Sequence, residues 1–127
     1  CDSDVFFSNP DPDWGVAGDF VDDPFLDVDD VDGYGPENIN LEKATDGRTY
    51  KVSMHYWRDD DGGGFSTSSD ATVELWVRGT QVGTWGPMTL DGTGDTWDVF
   101  EIAWPSRTVT TLNNPLYSVS SSVSCPP

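Results

Sequence analysis

The sequence predicts an all-β fold, an antiparallel β-sandwich of jelly-roll character with a long acidic N-terminal loop and almost no helix. Three observations predict it. Short runs that alternate apolar and polar residues recur at close intervals, Gly-, Asp- and Pro-rich turns separate them, and no segment carries the apolar period of an amphipathic helix. The chain has 127 residues, with six Trp, four Tyr and six Phe. That length suits one domain with one core, and that aromatic mass exceeds what a disordered chain carries.

Asp4 to Phe7 reads as a short strand, which Asn9-Pro10-Asp11-Pro12-Asp13-Trp14-Gly15 then breaks. Residues 8–25 are expected to wrap the surface as a loop pinned by Trp14, Phe20 and Phe25. Glu37 to Leu41 alternates as a strand, and Asp46-Gly47 signals a hairpin after it. Arg48 to Trp57 is the clearest strand: Tyr50, Val52, Met54 and Tyr56 share the core face, opposite Thr49, Lys51, Ser53, His55 and Trp57. Beyond the acidic tip Asp59–Gly64, Ala71 to Arg78 returns as its expected antiparallel neighbour, burying Val73, Leu75 and Val77. Further strands are expected at 81–85, 88–90 and 96–104, then at 108–112 and 116–120. Residues 1–105 would form the sandwich, with 106–127 as a strand-forming tail.

The formal charge is −17, carried by 19 Asp and four Glu against Lys43, Lys51, Arg48, Arg58, Arg78 and Arg107. Asp favours turns, where its short side chain caps the backbone or reaches a metal, so the charge is placed mainly in loops. Such a surface repels nucleic acid and anionic membranes. The plainer reading of the charges outside the Asp27–Glu37 run is a solubility device for salty or marine surroundings. Cys1 and Cys125 stand at opposite ends of the chain. A bridge between them would be worth about 4–5 kcal/mol in the chain-entropy picture and would imply an oxidising compartment. An intermolecular disulfide and a lipid-modified Cys1 are the alternatives. With no signal peptide and no apolar run long enough to span a membrane, the expectation is a mature, exported protein, extracellular or at the cell surface.

Asp27-Val28-Asp29-Asp30-Val31-Asp32-Gly33-Tyr34-Gly35-Pro36-Glu37 places five carboxylates around a glycine-punctuated turn. A hard cation such as Ca2+ needs six to eight oxygens, and near-alternate Asp residues closed by a later Glu provide them. The expected ligands are Asp27, Asp29, Asp30, Asp32 and Glu37, with a carbonyl near Tyr34. The step is not that of an EF-hand loop. The plainer reading is a solvated acidic turn. Asp59, Asp60 and Asp61 form a second, weaker candidate.

Leu26 to Ile39, Tyr50 to Trp57 and Gly94-Asp95-Thr96-Trp97-Asp98-Val99 together resemble the YfaP-like family of bacterial exported β-sandwich domains, whose function is not established. The resemblance covers about residues 1–105 and implies an exported or cell-surface accessory module rather than an enzyme. Family members begin with a strand that would lie before Cys1, whereas 107–127 extends past the family's usual end. The sandwich would thus lack one strand and own a spare. The tail either folds back on its own domain or is donated to a neighbouring copy, building a head-to-tail filament by strand addition.

His55 is the single histidine, and one imidazole makes neither a zinc site nor a hydrolase triad. With so many Asp, no chosen pair of carboxylates is informative as a glycosidase site. Trp57, Trp76 and Trp85 are placed outward, where flat indoles stack on sugar rings. The expected function is a non-enzymatic, calcium-stabilised structural or adhesive module. A calcium-dependent carbohydrate-binding module that recognises cell-surface glycan is the alternative, and a hydrolase accessory domain a third reading.

Overall fold

The computed structural model of the chain describes residues 3–28, 35–57 and 68–116. Among these residues the fold is all-β and antiparallel, with strands β1 (Pro24–Val28), β2 (Asn38–Leu41), β3 (Thr49–His55), β4 (Ser69–Val77), β5 (Thr80–Leu90), β6 (Thr96–Ala103) and β7 (Thr108–Leu116). The chain divides into two compact units, one running up to Arg48 and including Trp104–Ser106, the other holding Thr49–Ala103 and the segment from Arg107.

The second unit is sandwich-like. One sheet has the order β3-β6-β7 and the other consists of β4 and β5. Tyr50, Val52 and Met54 of β3, and Ala71, Val73, Leu75 and Val77 of β4, alternate with exposed residues and pack on a core of Leu90, Trp97, Val99, Phe100 and Ile102. These are the core faces that period-2 alternation predicts. Trp97 is 0% exposed and its indole Nε1–H donates to Asn113 Oδ1 at 3.2 Å. β6, hydrogen-bonded on both sides, carries a bulge: Val52 pairs with Phe100 and Ser53 with Asp98, leaving Val99 as the extra residue. The bulge restores the inward phase, so that Trp97, Val99, Phe100 and Ile102 are all buried within one short strand.

Three expectations about strands change here. β3 and β4 are not neighbours, because β3 pairs with β6 and β4 with β5. The two-residue turn Arg78-Gly79, with φ of 53° and 75°, has the left-handed pair that suits a tight hairpin, and it folds β4 onto β5. The segments expected at 81–85 and 88–90 are one strand, β5. Gly86 sits at φ 106°, a side chain there would strike the Ala71 carbonyl oxygen, and the register steps across it from Ala71↔Met88 to Val73↔Trp85. Gly86-Pro87 thus makes a bulge rather than a stop. The segment 108–116 is a single strand that pairs antiparallel with β6, from Ala103↔Thr108 to Thr96↔Leu116.

The first unit is mostly irregular chain. β1 and β2 pair from Pro24↔Leu41 to Val28↔Asn38, so β2 looks backward to a strand the alternation did not reveal, and no hairpin joins it to β3. Asp4 to Phe7 is not a strand: Phe6 and Asn9 exchange backbone bonds of 3.2 and 2.9 Å across a tight reversal, and Asn9 Nδ2 donates to the Asp4 carbonyl. Trp14 does anchor the loop, donating from Nε1 to the Ser3 carbonyl at 2.6 Å. Phe20 does not, being 85% exposed. Cys1 and Cys125, and with them the expected disulfide, lie outside the described residues.

Candidate functional site

The acidic hairpin is positioned by the β1–β2 register. Val28 pairs with Asn38, and Asp27 occupies the irregular step between Leu26↔Ile39 and that pair. Asp27 and Glu37 therefore stand at the two feet of the same loop, both exposed. Asp29, Asp30 and Asp32 lie outside the described residues, as do Asp59, Asp60 and Asp61. Among the described residues, no three carboxylate, imidazole or thiol side chains gather closely enough to hold a metal on their own.

The tryptophans are not brought together. Trp76 is 56% exposed on the outer face of β4, and its indole N–H donates to Glu74 Oε2 at 3.1 Å. Trp57, 50% exposed, follows β3 on the outer face of the other sheet, edge-on to the His55 ring at 5.7 Å. Trp85, expected outward, is turned in. Its ring stacks on Phe100 at 4.3 Å and its N–H donates to Thr111 Oγ1, because the Gly86-Pro87 bulge puts Trp85 in phase with the core. Partial burial pushes the His55 imidazole below its ordinary value of 6.5. The outer face around it is polar: Asp98 accepts from Ser53 Oγ at 2.6 Å and faces Lys51 Nζ at 3.4 Å. At the turn end of this unit a hollow of about 290 Å³ is lined by Val77, Arg78, Thr80, Val82, Ile102 and Arg107. It contains guanidinium groups but no carboxylate or imidazole to act as a general base.

The residues that sequence reasoning overlooked are in the N-terminal loop, where Asp side chains replace a ladder. Asp23 Oδ1 accepts from the Trp14 amide (2.6 Å), Asp22 Oδ2 from Val16 (3.0 Å) and Asp13 Oδ2 from Gly18 (3.3 Å). Gly15, at φ 63°, lies against the Asp22 carboxylate, and a side chain there would collide with it. Asp22 is buried, and its Oδ1 has no hydrogen-bond partner. The available signal was the distribution of charge: residues 1–42 hold thirteen carboxylates and no Lys or Arg.

No protein-family model, curated protein or solved structure matches this chain.

Proposed function

We infer that this chain is an exported, non-enzymatic, calcium-stabilised β-sandwich module with a structural or adhesive role, which associates with copies of itself by strand addition. The observation that carries this reading is the edge of β4. Among the described residues β4 and β5 pair only with each other, so each presents an open edge. β5 is blunted by Pro87 and takes the extra residue at both register steps, whereas β4 runs through Ser69–Val77 without Pro or Lys. Natural edges are protected by those devices, and an unprotected one accepts a strand. Acidic hairpin residues Asp27, Asp29, Asp30, Asp32 and Glu37 supply the calcium ligands in this reading and stiffen the turn into β2.

Light scattering at micromolar concentration in calcium tests the association. The expected result is a mass above that of one chain, reduced by Thr72→Pro, which removes an amide at a residue that has no register partner on β5. A strict monomer across the concentration series rules out self-association. The exposed Trp76 indole, tied by Glu74, favours glycan binding as a second reading. Glycan-array binding lost on Trp76→Ala would promote it over the first.

A further inference from the structure

We propose that the N-terminal loop binds a divalent cation of the calcium type through Oδ1 of Asp22, a site separate from the acidic hairpin. Asp22 is 4% exposed, with one carboxylate oxygen taken by the Val16 amide and the other closed off from solvent without a donor. Buried carboxylate oxygens are retained where a donor or an ion meets them. Among the described residues no side-chain cation does so. The ion pairs of Lys43 with Asp19 and of Lys51 with Asp98 do not involve Asp22.

The surroundings suit a hard cation. Asp23 adjoins Asp22 in sequence and spends Oδ1 on the Trp14 amide, and the Thr45 hydroxyl borders Gly15 on the side that Asp22 occupies. The site is poor in formal charge, with one or two carboxylates and the remaining ligands drawn from loop oxygens and water. Calcium tolerates such an irregular oxygen set, whereas magnesium demands near-octahedral geometry. Few charged ligands place the affinity in the weak range of extracellular modules, on the order of 10⁻⁴ to 10⁻³ M. Asp22→Asn keeps the shape of the side chain while removing its charge, so it removes the cation's carboxylate ligand with little change in packing.

The experiment is an NMR titration of the full chain with CaCl2 to about 10 mM, above the expected dissociation constant. The Val16 amide and the Asp22 carboxylate carbon are followed in the wild type, in Asp22→Asn and in the double variant Asp27→Asn/Glu37→Gln. Saturable shifts at both positions are expected in the wild type and in the double variant, and no Val16 shift in Asp22→Asn. An Asp22 carboxylate carbon that ignores calcium overturns the proposal, even if Asp22→Asn fails to fold. A Val16 response that survives in a folded Asp22→Asn overturns it equally. Failure of the hairpin reading looks different: the amides of Asn38–Leu41 would be silent in the wild type while Val16 responds.

Discussion

Among the described residues, the unit built from β3 to β7 buries the apolar side chains of Trp97, Val99, Phe100, Ile102 and Leu90, whereas the unit that holds β1 and β2 buries Pro12, Pro24 and Asp22. The charges divide the same way. The first unit has fourteen carboxylates against Lys43 and Arg48, the sandwich nine against Lys51, Arg58, Arg78 and Arg107. A sheet buries apolar surface and is stabilised without reference to ionic conditions. A loop tied by carboxylates to its own amides repels itself and depends on what neutralises it. The same residue type plays both parts. Buried Asp95 accepts from the amides of Asp91 and Gly92 and organises the turn into β6, whereas buried Asp22 has one oxygen satisfied and one orphaned.

The largest expected effect that sharpens this contrast is Trp97→Ala, which should cost about 3–5 kcal/mol in urea denaturation, as for other large buried aromatics. A loss below about 1 kcal/mol would show that the core is not what holds the sandwich. Gly86→Ala should cost more than about 1 kcal/mol, since it combines a left-handed φ with contact to the Ala71 carbonyl. Asp23→Ala, which leaves the Trp14 amide without its acceptor, is expected to cost about 1–2 kcal/mol and to raise hydrogen exchange in the N-terminal loop alone. Equal exchange in β3–β7 would break the separation of the two units. The smallest effect is that of His55. Its imidazole should titrate below 6.5 by NMR, so stability should decline slightly as pH falls through 6.5 towards that lowered value, and His55→Gln should flatten this slope.

The sandwich was legible because β3 and β4 wear their core faces in the sequence: Tyr50-x-Val52-x-Met54 and Val73-x-Leu75-x-Val77 stand as predicted. Pairing was less legible. Alternation says which way a side chain points but not which strand lies alongside, and only a turn such as Arg78-Gly79 ties two strands locally. A bulge defeated the reading where it shifted the phase at Gly86-Pro87, which joined two expected strands into one and turned Trp85 inward. β1 escaped notice because Pro24-Phe25-Leu26-Asp27-Val28 is short, begins with proline and merges into the acidic run. The Asp-tied loop had no periodic signal, since its amides are captured by side chains at irregular separations.

The pairing of β3 with β6 sets an order of events in folding. Val52 meets Phe100 only after the intervening chain has been gathered, and that chain contains the β4–β5 hairpin, closed by two residues. Local pairs form in microseconds, whereas distant ones wait on loop closure. The hairpin is thus the piece that can exist early, presenting Val73, Leu75 and Trp85 as a template on which β6 condenses. Until β6 arrives, the apolar face of that hairpin lies uncovered.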